Sequence, residues 1–217
     1  MNWINKLRNR HVGQEIFIVG AGPSLDNYSD EFLDNRLAIT LHNAYLKFPN
    51  TQYRHANEMD RVQWFKKNRP EYLDKVNIFA WPFYGRTKKE TEAVIDPDRN
   101  NYYFFALRDN YPEDRIPIKV REAKEGTAID FGGFGTCLHA CLFVAIYMGC
   151  NPINIIGCEH KAELGKPQYY SLGEKAAEGL YNRDYLTLGK VQTRGTQLII
   201  DVCKDQGIII NWIKKHE

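Results

Sequence analysis

Apolar residues in this chain fall into short unbroken runs that stop at glycine, proline, histidine or asparagine. Ile16–Val19 (IFIV) stops at Gly20 and 37–41 (LAITL) at His42 and Asn43. A short third strand is expected over 53–56 (YRHA), ending at Asn57, and the run Val76–Trp81 (VNIFAW) stops at Pro82. A short continuous apolar run of this kind is the pattern of a strand buried on both faces, as in a parallel sheet. Residues 137–148 are apolar at almost every position and predict a buried helix, stopped by Gly149 with Pro152 beyond it. Ile153–Ile156 (INII) is then a strand ending at Gly157. Helical spacing returns over 191–204 at Leu198, Ile199, Val202 and Cys203, Gly207 ends it, and 208–212 (IIINW) is the last strand. Asp26 or Ser29 offers a cap for a short helix near 30–33. Strands alternating with helices predict an α/β chain: one domain over 1–217, with a Rossmann-like, mainly parallel sheet and helices on both faces.

Two stretches break this rhythm. Residues 83–130 are rich in charge, tyrosine, proline and aspartate, with 102–107 the one convincing strand-like run. Residues 158–189 are polar and tyrosine-rich, with a short helix expected near 173–180. Long segments of this texture in a compact domain are commonly lids or insertions, and both are expected to be lid segments.

Composition narrows the class. At 217 residues the chain can bury roughly 70% of the surface its unfolded form exposes, enough for one sizeable core. A net charge of +2 with mixed signs argues against a nucleic-acid binder. The five cysteines (137, 141, 150, 158 and 203) are odd in number and sit mostly in apolar runs, which points to a reducing, cytoplasmic setting. The first residues, MNWINKLRNRHVGQE, are polar and basic and lack a signal peptide's apolar stretch. The apolar run 137–148 is far shorter than the roughly 20 residues that span a bilayer, so a soluble protein is expected. The basic N-terminal segment leaves peripheral membrane contact open, and nothing in the sequence sets an oligomeric state.

In an open α/β sheet, ligands bind beyond the carboxyl ends of the strands. Those ends carry residues 20–25 (GAGPSL), His42 and Asn43, residues 57–60 (NEMD), and residues 157–161 (GCEHK). Gly20 and Gly22 can adopt positive φ or admit a close ligand. Pro23 suits the first turn of a helix, and Ser24 puts a hydroxyl beside backbone N–H groups, a setting for a phosphate or ribose oxygen. Neither the third glycine of a dinucleotide fingerprint nor a phosphate-loop Gly-Lys-Ser/Thr is present. Along the 137–148 helix Cys137 and Cys141 share a face, with His139 roughly 200° from Cys137 at about 100° per residue, so the three do not converge on a metal. Cys158 and His160 supply only two ligands, too few for a zinc site. Buried thiols are the plainer reading.

Two blocks carry a resemblance. VGAGPSLD at 19–26 looks like the opening of the small bacterial sialyltransferases, and GTCLHACLFVAIYMGCNPINIIGCEH at 135–160 is similar to their later helix-strand block ending in Gly-x-Asp. The same blocks occur in motility-associated glycosyltransferases and in pterin diphosphokinases. The resemblance implies a glycosyltransferase using a nucleotide-sugar donor, CMP-sialic acid or a relative, to modify a surface glycan or protein, with no tightly bound cofactor. It implies a nucleotide cleft formed by Gly20, Ala21, Gly22, Pro23, Ser24, Leu25, Asn43, Asn57, Gly135, Thr136 and Gly157. Asn43 and Asn57 fall where the family's asparagines contact the CMP part, and an amide can both donate and accept there. Glu159 stands for the aspartate, Lys161 near the first of the family's phosphate-side tyrosines, and Tyr169 and Tyr170 near the second. The family's histidine base has no counterpart between His160 and His216, so the candidate bases are His160, Glu159 and Asp184. Residues 129–131 (IDF) replace the family's arginine before the turn. The diphosphokinase relatives imply a second reading, ATP-dependent, with Mg²⁺ on Glu58 or Asp60. A third is nucleotide binding without catalysis.

Overall fold

Within the central strands, alternate side chains enter two different cores, which is why the runs are mostly apolar on both faces. Ile16 and Ile18 point to one face of the sheet, Phe17 and Val19 to the other. Ile78 and Ala80 oppose Phe79 and Trp81 in the same way, and Phe105 opposes Phe104. The computed structural model describes residues 1–56, 58–83, 85–108, 112–128, 130–132, 136–159 and 185–213.

Nine strands form one sheet: β1 (Asn2–Trp3), β2 (Ile16–Val19), β3 (Ala38–Leu41), β4 (Tyr53–His55), β5 (Val76–Trp81), β6 (Tyr102–Arg108), β7 (Asp130–Gly132), β8 (Ile153–Ile156) and β9 (Ile210–Trp212). Their order is β1-β6-β5-β4-β3-β2-β8-β9, with β7 also on β6, and every pairing is parallel. The helices are α1 (Met59–Asn68), α2 (Lys88–Glu92), α3 (Ile116–Glu125), α4 (Cys137–Tyr147) and α5 (Tyr185–Asp205). Val62 and Phe65 of α1 cover one face, while α3, α4, Ile199 and Cys203 cover the other. The expected Rossmann-like α/β sheet is present. Among the described residues no helix is long and apolar enough to cross a membrane.

Several expectations change. Residues 83–130, expected as a lid segment, supply β6 to the sheet, and α3 packs on α4. Phe104 and Phe105, with no exposed surface, are as much core as any central residue. No helix forms at 30–33; the chain instead takes a short 3-10 turn at Pro23–Asn27, with Pro23 in its first position. The expected helix over 191–204 starts earlier, at Tyr185. The expected helix near 173–180 lies outside the described residues.

The N-terminal arm ties distant parts together. β1 pairs with β6, and beyond it the backbone N–H groups of Asn9, His11 and Gly13 donate to the carbonyls of Tyr147, Met148 and Gly149 at 2.9–3.1 Å. These carbonyls end α4, where four acceptors lack helical partners.

One buried charge lies in the opposite core. Arg54 on β4 has no exposed surface. Its Nη2 donates to the Pro49 carbonyl, and its guanidinium lies 4.4 Å from the Tyr45 ring centre and 5.9 Å from that of Tyr72. Tyr72 in turn stacks on Phe65 at 4.1 Å. Burial pulls the guanidinium down to about 10.

Candidate functional site

The chain runs from β2 outward through β3, β4, β5 and β6 on one side, then returns to place β8 on the other side of β2. The reversal makes a topological switch point, the place where ligands bind in open α/β sheets. The loop after β2 carries residues 20–25 and the loop after β8 carries Gly157, Cys158 and Glu159.

Near the strands these two loops are locked together. Gly20 N–H donates to the Ile156 carbonyl at 2.9 Å, and Gly22 N–H to the Gly157 carbonyl at 2.8 Å. A Cβ at Gly20 would overlap the Gly157 carbonyl and Cys158 Sγ; one at Gly22 would overlap the Glu159 carboxylate. Neither glycine takes a positive φ, and Gly22 is extended at φ −78°, ψ 164°. Of the two uses open to these glycines, positive φ is not taken, and the close approach they permit is first of all to the protein's own β8 loop. The left-handed glycine is Gly157, at φ 65°, with Leu25 packed against it. On the far side, Trp212 Nε1 donates to the Cys158 carbonyl at 3.1 Å.

This packing leaves polar atoms without partners. Ser24 is buried, and its Oγ has no hydrogen-bond partner; both oxygens of Glu159 are in the same position. An unpaired buried carboxylate or hydroxyl is costly, and such atoms call for an explanation such as a ligand. Tyr28 faces the same carboxylate, and burial together with the Glu159 charge raises its phenol.

The β3 end adds a second cluster. His42 opens a 3-10 turn (His42–Leu46) with φ 48°, left-handed for a residue with a side chain. Its Nε2 lies 2.9 Å from Cys137 Sγ at the start of α4, and its Nδ1 is buried without a partner. Burial, reinforced by the Arg61 guanidinium, pulls His42 down to about 3. At the end of β4, His55 shares a hydrogen bond between Nδ1 and the Ile78 carbonyl at 2.8 Å, and burial lowers it to about 4. Asn43 is buried beside His42. Thr136 caps α4, its hydroxyl accepting from Leu138 N–H at 3.2 Å, so the helix N-terminus faces the β3 end with an ordered first turn.

The structure thus brings Gly20, Ala21, Gly22, Pro23, Ser24, Leu25, Gly157 and Glu159 to one seam, with Asn43 and Thr136 on neighbouring elements. Asn57, Gly135, His160, Lys161, Tyr169, Tyr170 and Asp184 lie outside the described residues. Glu58 is held by Arg61 in an ion pair, and Asp60 is 82% exposed with Arg86 at 3.9 Å. Asp130 pairs with Lys119 Nζ at 2.9 Å. His139 turns away from Cys137 and meets Thr196 Oγ1 at 2.9 Å. Among the described residues no group of three or more His, Cys, Asp or Glu side chains could hold a metal.

Sequence reasoning passed over His42 as a strand terminator and over Arg61 altogether. His42 sits directly after an apolar run, beside the flagged Asn43, and that position was its available signal. No family model, curated protein or solved structure matches the chain.

Proposed function

We propose that the chain is a glycosyltransferase that binds a nucleotide-sugar donor at the switch point formed by the β2 and β8 loops. The observation that carries this reading is the set of buried, unpartnered oxygens at the switch point, Ser24 Oγ and Glu159 Oε1 and Oε2. Ser24 would donate to a phosphate or ribose oxygen of the nucleotide. The first turn of α4, capped by Thr136, offers its N-terminal partial charge to the departing phosphate. Asn43 reads the nucleoside with an amide that both donates and accepts. Glu159 accepts the proton of the incoming hydroxyl: it is the one carboxylate at the seam without a partner among the described residues, so it has capacity to take a proton. A surface glycan or a protein hydroxyl is the acceptor class.

The test is thermal shift with CMP, UDP and ATP, each with and without Mg²⁺, on the wild type and on Ser24→Ala. A CMP or UDP response that needs no Mg²⁺ and weakens in Ser24→Ala is the expected result. A response to ATP alone, and only with Mg²⁺, would overturn the reading in favour of diphosphate transfer. Slow donor hydrolysis abolished in Glu159→Gln, with nucleotide binding kept, separates catalysis from mere binding.

A further inference from the structure

The five cysteines of the chain are free, and four of them are chemically quiet. Cys141, Cys150 and Cys203 are buried, and burial pushes all three thiols up, Cys150 and Cys203 to about 12. Cys158 is partly exposed as a residue, but burial of its thiol beside the Glu159 charge raises it too.

Cys137 differs on three counts. It is partly exposed. It is the first residue of an eleven-residue helix, where the helix dipole favours a thiolate over a thiol. Its Sγ lies 2.9 Å from His42 Nε2, a contact between residues 95 apart in sequence.

The imidazole's proton can be placed. His42 Nδ1 is buried and has no hydrogen-bond partner. A buried N–H without an acceptor is rarer than an acceptor left unused, so the proton belongs on Nε2 and Nδ1 carries only its lone pair. Burial and the Arg61 guanidinium keep the ring neutral. A neutral ring with its proton on Nε2 donates toward Cys137 Sγ, and a sulfur that accepts that hydrogen bond is stabilised as thiolate. The left-handed φ of 48° at His42 fits a backbone held off its preferred region to aim this ring.

We propose that Cys137 is a modification site, a thiolate primed by His42 and the α4 N-terminus for soft electrophiles and hydroperoxides. With a haloacetamide, the sulfur attacks the methylene carbon; the C–S bond forms as the carbon–halogen bond breaks and halide leaves. With a hydroperoxide, the sulfur attacks the terminal oxygen; the S–O bond forms as O–O breaks, sulfur is oxidised to sulfenate, and the peroxide is reduced to an alcohol or water. Either product adds atoms between the β3 turn and α4. The site goes beyond the transferase reading and stands without it.

The experiment follows alkylation of the folded full-length chain by iodoacetamide, with the rate at each cysteine read by peptide mass spectrometry. Cys137 is expected to react at least ~10-fold faster than the other four, and a sulfenate trap after hydrogen peroxide is expected to label Cys137. His42→Ala is expected to slow Cys137 severalfold. His42→Gln keeps a neutral N–H donor and is expected to retain most of the rate. A Cys137 no faster than the buried thiols, or a rate indifferent to His42→Ala, overturns the proposal. Should His42→Ala fail to fold, His42→Gln decides. Retention of the fast rate supports the donor role, and a fall to the rate of the buried thiols overturns it.

Discussion

Two of the places where this molecule buries polar atoms without hydrogen-bond partners differ in what surrounds them. Around Arg54, the unpartnered atoms are its Nε and Nη1 and the Tyr72 hydroxyl. They sit against the aromatic core packed on α1, where Tyr45 and Tyr72 present ring faces to the guanidinium. At the seam of β2 and β8, the unpartnered atoms of Ser24 and Glu159 lie on the two loops that follow the strand ends. The first group has its charge spread over rings within the core; the second has nothing among the described residues to answer it. An unsatisfied polar atom is therefore not a site by itself. Its position relative to the sheet's switch point decides.

The largest effect should come from the sealed cluster. Arg54→Ala should cost about 3–5 kcal/mol, because it leaves a cavity and removes the cation from its rings. Arg54→Met, which fills the space without a charge to desolvate, should stay within about 1 kcal/mol of the wild type. Urea denaturation measures both, and a Met variant as weak as the Ala variant would mean that charge, not packing, holds this core. Neither change should alter the response to nucleotides at the seam.

A smaller effect is expected from acid. His42 and His55 are lowered to about 3 and about 4 from an ordinary 6.5. Below about 6.5 the unfolded chain binds protons that the folded one refuses, so stability is full above that pH and falls as pH drops toward 4. For His55 the loss should be on the order of 2–3 kcal/mol, and His55→Gln should flatten the slope of stability between pH 6.5 and 4. An unchanged slope would place the acid sensitivity elsewhere.

The smallest change has the sharpest contrast. Glu159→Gln removes a buried, unpaired carboxylate and should raise stability by about 1 kcal/mol while lowering donor hydrolysis by about 100-fold or more. Stability gained as activity is lost is the pattern of a functional residue. A variant that loses both would make Glu159 a structural group and align the seam with the Arg54 cluster.

What the sequence made legible follows the strength of each apolar run. β2, β5 and β8 were readable to the residue, because each is a short, mostly apolar run stopped by Gly20, Pro82 or Gly157. α1 was missed because its buried face is narrow: Val62, Phe65 and the stem of Arg61. α3 was obscured by Pro117, although proline is at home in a first helical turn, and Ile116, Val120 and Ala123 hold the i, i+4, i+7 spacing. α2 announces itself by a capping box, Thr87 with Glu90, that the charged texture of its surroundings disguised. At the seam, GAGPSL marked the right loop for an incomplete reason, since its glycines accommodate Gly157, Cys158 and Glu159. The His42–Cys137 contact has no local signature at all, because only the fold brings β3 to the start of α4.

The N-terminal arm gives synthesis of the chain a particular timetable. β2 leaves the ribosome early and finds β3 almost at once, but its other neighbour is β8, and the first residues pair with β6 and the end of α4. At about 5–20 residues per second, β2 carries an open edge for roughly 7 to 27 seconds before β8 exists to cover it. An uncovered edge of a parallel, wholly apolar strand is a template for pairing with another chain. The nascent chain is thus most exposed to misassembly until β8 emerges, and a chain cut short before residue 153 retains that open edge.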